Sequence, residues 1–358
     1  MTTAANKYSP DYAVPPGWVI EEHLATHGIS QAELARRCGR SPKLISEIIA
    51  GRAPIEPGTA LQFEMVLGVD ASIWLGIEAD YQLFRAREAD ARRARDLVAW
   101  AKTFPARDLV KRGAMDPPSS ESATVQTLLS FFGVATKHAW DTKYGAAQAA
   151  YRHSPSFESD QPALKTWLRL VELDAERQNC GSYDEPRFRS ALRQVRSLTR
   201  DPMTAAIRKA RELCAETGVA LAVVDPLPKV RLSGAAWWYR PGKPVIALTG
   251  RHKSDDHLWF SFFHEAAHLL LHSRREIFID DLSPGGDDIE AQANVWAANF
   301  LLPRQHWRQF VANGVFGSGN VQEFAQEQGI APGIVVGRLQ HEKLVPWNQL
   351  NHLKKKAA

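Results

Sequence analysis

At 358 residues the chain is too long for one ordinary domain and long enough for two or three with cores of their own. Its 23% charged and 44% apolar residues describe a soluble globular protein, and a formal net charge of +4 excludes a heavily basic one without arguing for nucleic acid by itself. Three cysteines, Cys38, Cys180 and Cys214, lie far apart without a CxxC, so neither a disulfide framework nor a cysteine zinc site is supported. No apolar run reaches membrane-spanning length and residues 1–8 lack the hydrophobic core of a signal peptide, so the expected compartment is the cytoplasm, with no membrane partner.

Pro15-Pro16-Gly17-Trp18 opens a helix that packs through Val19, Ile20 and Leu24 and stops at Gly28. Two short helices are then predicted, Ser30 to Gly39 and Ser41 to Arg52, each opening on a serine cap. Ala35 is small enough for a close helix crossing, and Gly39 suits the positive φ of the turn between them. In the second helix Pro42 occupies the first turn, where its missing N–H costs nothing. Ile45, Ile48 and Ile49 form its buried side, while Lys43, Ser46 and Glu47 face outward. A helix-turn-helix presents that outward face to the major groove. Arg36, Arg37, Arg40, Lys43 and Arg52 against Glu47 give residues 36–52 a local net of +4, a footprint for phosphate.

The run S-Q-x-E-L-A-x-R-x-G followed by S-x-x-x-I-S-E-I-I-x-G-R resembles the XRE (Cro/C1-type) helix-turn-helix. With the Pro-Pro-Gly-Trp opening, Ile55-Glu56-Pro57-Gly58-Thr59 and Ser72-Ile73-Trp74-Leu75, residues 12–100 are similar to HigA-type antitoxins of toxin–antitoxin modules. The resemblance implies a five-helix domain that binds a palindromic operator in double-stranded DNA as a homodimer. It places DNA contacts on Gln31, Ser41, Lys43 and Ser46, with Arg52 on phosphate. Arg40, where the turn commonly carries an apolar residue, and Ala50, where asparagine is frequent, depart from the family pattern.

Residues 71–112 read as one or two helices, and the arginines of Tyr81–Trp100 alternate with acids as on a solvated face. Arg92, Arg93 and Arg95 could alternatively extend the phosphate contacts. Met115 to Ser122 has the composition of a linker, which gives a DNA-binding domain with its helical extension over 1–114 and a linker over 115–122. Residues 123–218 show helical periodicity with aromatics (Phe131, Phe132, Trp140, Tyr151, Trp167) and no chemical constellation; His138 and His153 read as ordinary residues. After Gly218 the pattern becomes that of strands, Val219–Val224, Gly234–Tyr239 and Pro244–Leu248, with a turn at Arg240-Pro241-Gly242-Lys243. A small antiparallel sheet is expected.

That sheet leads into Phe262-Phe263-His264-Glu265-Ala266-Ala267-His268, on a helix capped by Ser254, opened by the acids Asp255 and Asp256, and running to about His272. Positions i and i+4 share a helix face, so His264 and His268 can offer two imidazoles to one metal. Glu265 is then placed to take a proton from water rather than to ligate. A chance HExxH on a core helix is the plain alternative, and a third ligand separates the two. The next helix, stopped by Pro303, offers Glu290, which would complete a three-ligand zinc set with an open fourth position. Asp287 and Glu290 also fit a D-x-x-E capping box.

Strands carrying S-G-A-A and P-V-I-A-L, then F-F-H-E-x-x-H-L-L-L-H, then E-A-x-A-N-x-x-A-x-x-F-L-L-P, together resemble the ImmA/IrrE family of minimal zinc metallopeptidases. The likeness runs over residues 219–305, within a domain taken as 219–310, and Trp296 stands where phenylalanine is commoner. It implies His264, His268 and Glu290 as ligands of Zn2+, Glu265 as catalytic base, and a toxin, antitoxin or repressor protein as partner or substrate. A substrate strand would add to an edge at Val245–Leu248, and Tyr239, Arg251 and His252 are candidates for steadying the oxyanion.

Residues 311–358 form a C-terminal helical extension, with two short helices around Gly329 and Pro332-Gly333. A second DNA-binding hairpin is conceivable there, but Ile334, Val335, Val336 and Leu339 favour packing onto the peptidase domain, and Lys354, Lys355 and Lys356 read as a solvated tail. The expectation is a mainly α protein with a small α+β domain, acting as a DNA-binding regulator with a zinc endopeptidase site. A non-catalytic antitoxin whose peptidase-like domain binds a partner is the alternative.

Overall fold

The computed structural model describes residues 12–150, 160–250, 254–272, 277–280 and 288–356, so residues 1–8, Tyr151, His153, Arg251, His252 and Asp287, named above, lie outside the described residues. The chain forms two compact units. The first ends at Val98 and includes 120–123; the second takes 99–119 and everything from Thr124 onward.

The first unit is the expected set of five helices: α1 (Pro16–His27), α2 (Gln31–Arg37), α3 (Pro42–Ile49), α4 (Pro57–Leu67) and α5 (Ala71–Asp96). Ser30 Oγ accepts the Glu33 N–H at 3.2 Å and Ser41 Oγ accepts the Leu44 N–H at 3.1 Å, so each serine satisfies a helix-start donor. Gly39 turns between them at φ 60°. Gly17 is required for a different reason, since a side chain there would collide with the Ile49 carbonyl where α1 crosses α3. Ile20, Leu34, Ile45, Phe63 and Trp74 close the core, each fully buried.

The second unit, with Val98 and 121–123 left to the first, begins with α6 (Val98–Ala101), α7 (Ala106–Lys111), α8 (Glu121–Phe132), α9 (Lys137–Ala150), α10 (Gln161–Glu176), α11 (Glu185–Leu198) and α12 (Met203–Glu216). Strands β1 (Ala220–Val223), β2 (Gly234–Arg240) and β3 (Lys243–Leu248) follow, then α13 (Asp255–Leu271), β4 (Ile277–Asp280) and α14 (Asp288–Leu301). Helices α15 (Arg304–Ala312), α16 (Ser318–Gln328) and α17 (Pro332–His341) complete it.

The four strands lie in the order β1-β3-β2-β4. β2 is antiparallel to both neighbours, as expected, but β1 runs parallel to β3, which corrects the reading of a wholly antiparallel sheet. Both faces of the sheet are covered, and strands buried on both faces are nearly continuous in apolar residues. Leu221, Ala236, Ile246 and Leu248 join α13 in one core, and Ala220, Ala235, Trp237, Val245 and Ala247 join α10 in the other. Because β3 pairs on both sides, Val245–Leu248 offers no free edge, so the edge expected there for a substrate strand does not exist.

The C-terminal residues meet one expectation and depart from another. Ile334, Val335, Val336 and Leu339 of α17 are buried in the core shared with α13. Glycines 333 and 337 allow that approach, since side chains there would collide with Asp255 and Asp256. Ser254 does not cap α13 with its side chain and instead bridges Lys356. Lys355 and Asp255 exchange backbone contacts, the Asp255 N–H donating to the Lys355 carbonyl at 2.9 Å and the Lys355 N–H to Asp255 Oδ1 at 3.0 Å. Lys354 Nζ reaches Asp256 Oδ2 at 2.6 Å and Gln340 Oε1 at 2.7 Å. Residues 354–356 are therefore a clasp rather than a solvated tail, held there because two carboxylates buried at 1% and 6% exposure need cationic and N–H partners.

Candidate functional site

Helix α13 is buried almost all round: Phe262, Phe263 and Ala266 belong to the core shared with the sheet, α14 and α17, Ala267 is fully buried as well, and His264, Glu265 and His268 are buried at 0–1% exposure. Helix α14 is fixed against it by two arginines that satisfy its C-terminal carbonyls. Arg196 donates to Phe300 and Leu301, and Arg338 to Ala298 and Leu302, all at 2.7–3.0 Å. This placement sets Glu290 opposite the histidines.

The result brings together the three residues expected as ligands. His264 Nε2 lies 2.9 Å from His268 Nε2 and 3.1 Å from Glu290 Oε2, and His268 Nε2 lies 3.6 Å from Glu290 Oε1. Their ligand atoms all fall within 4.8 Å of one another. Tetrahedral coordination with zinc–nitrogen bonds of 2.0–2.1 Å calls for about 3.3 Å between ligand nitrogens. The donor set fits such an ion: two imidazole nitrogens and one carboxylate aimed at one point. Glu290 is turned to both imidazoles, the contact the ligand reading requires.

Protonation suits the same role. Burial pushes the His268 imidazole down to about 4, with the His264 charge helping and the Glu290 carboxylate opposing. Burial pushes the Glu290 carboxyl up, but hydrogen bonds and charge from His264 and His268 outweigh it and hold the group at about 2. Near neutral pH the set is a carboxylate beside a neutral His268, the forms that bind a cation.

Three residues around this set were not singled out from sequence. Asn294 Oδ1 lies 3.1 Å from His264 Nδ1 and accepts a hydrogen bond from the Nδ1–H tautomer, which leaves the Nε2 lone pair facing the ligand point. Asn294 follows Glu290 by one helical turn, the signal that could have marked it. His272 Nδ1 lies 2.9 Å from His268 Nδ1, one turn on along α13. Gly234 in β2 makes room for Glu265, since a Cβ there would meet Glu265 Oε1 at 2.6 Å and Cγ at 2.9 Å. Tyr239 falls on the opposite face of β2, packed with the α10 core, so it cannot steady an oxyanion at α13; strand alternation turns it away.

In the first unit Gln31, Ser41, Lys43, Ser46 and Arg52 are all exposed, the last four on or beside α3. Part of the local positive charge is already engaged. Arg36 and Arg37 both pair with Glu33, and Lys43 Nζ stands 3.9 Å from Glu47. Arg40 Nε donates to Gln62 Oε1 at 2.6 Å, which accounts for an arginine in a turn that commonly carries an apolar residue. No helix among the described residues is long and apolar enough to cross a membrane.

Comparison with known proteins agrees with both units. The helix-turn-helix family model matches residues 20–74, and the M78 peptidase model, described as the IrrE N-terminal-like domain, matches 219–339. The chain is similar to YddM of Escherichia coli K12, described as an uncharacterized HTH-type transcriptional regulator, with 31% identity over 84 residues; the match covers 23% of this chain and 89% of that protein. It is similar to virulence-associated protein I of Dichelobacter nodosus, 35% identical over 77 residues, covering 21% of this chain and 71% of that protein. A solved structure from Nostoc punctiforme, described as an antidote protein of a plasmid maintenance system, shares 26% identity, covers 24% of this chain and 93% of that one, and gives a TM-score of 0.23. The chain belongs to the XRE-type helix-turn-helix regulators and carries, C-terminal to that domain, an M78 peptidase domain of the IrrE/ImmA kind.

Proposed function

We propose that the protein is a DNA-binding transcriptional regulator whose second unit is a zinc-dependent endopeptidase acting on a regulatory or partner protein. The observation that carries the reading is the convergence of His264, His268 and Glu290, with Glu265 buried one residue from the first ligand. His264, His268 and Glu290 would hold the ion, with Asn294 orienting the first ring. A bound zinc ion would supply Lewis acidity toward water and the scissile carbonyl. Glu265 accepts the proton of the attacking water and returns it to the leaving amine. Gln31, Ser41, Lys43, Ser46 and Arg52 would meet operator DNA, read as a palindrome by two copies of the chain. Such regulation by cleavage of an antitoxin or repressor fits a chain that joins these two units.

Glu265→Gln tests the peptidase step, because it keeps shape and hydrogen bonding and removes the base. Cleavage of the partner protein should fall by roughly a hundredfold or more, with metal content and DNA binding retained. Unaltered cleavage and unaltered regulation in cells would leave a non-catalytic antitoxin in place of the enzyme.

A further inference from the structure

In the second unit, several arginines on helix surfaces are engaged nearby. Arg189 pairs with Glu185, Arg211 with Asp174 and Arg338 with Glu342, and Arg196 is spent on backbone carbonyls. The outward stripe of α11 is different. Arg187, Ser190, Arg193, Gln194 and Ser197 are all exposed on one side of this helix, and Arg200 follows in the turn beyond it. No acid interrupts the stripe, and its three arginines form no ion pair among the described residues. At 1.5 Å rise per residue they span about 20 Å. Lys355 Nζ donates to the Arg200 carbonyl and adds a cation at that end.

Helix α15 adds two more arginines. Arg196 Nη1 donates to the Gln328 carbonyl at 2.8 Å, and Gln328 Oε1 lies 2.8 Å from His306 Nδ1, so Gln328 at the end of α16 links α15 to the C-terminal half of α11. Its Arg304 and Arg308 are exposed and likewise without an ion pair among the described residues. We propose that this arginine face, Arg187, Arg193 and Arg200 with Arg304 and Arg308, binds the phosphate backbone of duplex DNA beside the site held by the helix-turn-helix. The inference rests on the reading of the first unit as DNA-binding. Charge complementarity selects the partner: guanidinium groups and hydroxyls along one face match phosphate oxygens, and none of these side chains needs to read a base. A first contact through α3 keeps the second surface at high effective concentration near the same duplex, so individually weak contacts add.

The test uses the full chain and a mixed-sequence duplex of about 60 base pairs, long enough for both surfaces, with affinity followed by fluorescence anisotropy against salt. Replacing Arg187, Arg193 and Arg200 together by Gln should weaken binding about 10- to 100-fold at low salt and reduce the log–log salt slope by up to about 2.7, near 0.9 per lost phosphate contact. The triple Lys variant should retain the parent's slope, since charge rather than the arginine fork is at stake. Lys43→Ala serves as the separate control on the first unit. If it leaves binding unchanged while the Gln triple weakens it, the helix-turn-helix reading fails and the arginine face stands. A Gln triple with the parent's affinity and slope overturns the proposal and makes the face a surface for solvent or an acidic protein.

Discussion

The two functional regions hold polar residues in opposite ways. In the first unit Lys43, Ser46 and Arg52 are exposed on a framework whose core consists of other residues, so they can change without moving the fold. In the second, His264, Glu265 and His268 are themselves fully buried, and each must be matched by a neighbour: Asn294, Gly234 and His272. An exposed site is tuned by charge, whereas a buried site is tuned by position. Substitutions should therefore act through salt dependence in one unit and through metal affinity or pH in the other.

The largest break in that comparison comes from the ligands. Purified protein should carry about one zinc per chain, and His264→Ala or His268→Ala should reduce it to a small fraction by metal analysis while DNA binding persists. Retention of zinc by both variants would remove the site from these residues. Asn294→Ala sharpens the same point. It should lower zinc affinity about 10- to 100-fold in a competition titration, with Asn294→Asp recovering most of it, because an acceptor for His264 Nδ1 is restored.

A third effect is one of pH. Burial first, and then the Asp256 charge, push the Asp255 carboxyl up to about 6, against the backbone donors of Lys355 and Asp256 and the Lys355 charge. Since the folded value lies above the ordinary 3.8, the folded protein holds that proton more tightly than the unfolded chain. Its stabilising contribution is complete below about pH 4 and is lost as pH rises through about 6. Asp255→Asn should raise stability at pH 8 by about 2–3 kcal/mol and leave it nearly unchanged at pH 4, as thermal melts would record. The smallest effect belongs to the exposed site. Lys43→Ala should weaken operator binding several-fold and lower the salt slope by about one, with no change in melting temperature. A large loss of stability instead would mean that Lys43 is structural.

What could be read from sequence follows the range of each interaction. The serine caps, Gly39 and the HExxH face were legible because they depend on residues one to four positions apart. The place of Glu290 beside the two histidines was legible from the motif order, and the packing of α14 against α13 brings it there. The clasp was hidden because three lysines at the end of a polar stretch look solvated. Their partners, Asp255 and Asp256, lie about a hundred residues earlier and looked like ordinary first-turn acids. The parallel pairing of β1 with β3 was hidden for the same reason, since β2 lies between them in sequence. Tyr239 was misread because strand alternation shows which residues share a face without showing which face meets α13.

The clasp also has a consequence for how the protein comes into being. The first unit closes its core within α1 to α5, so it can fold while the rest of the chain is still being made. Helix α13 meets Lys355 only after a further 100 residues. At about 5–20 residues per second, that is a lag of roughly 5–20 s during which the helix of His264 and His268 lacks the partners of its first turn. On the ribosome, then, the chain is competent to find DNA before its peptidase unit is finished.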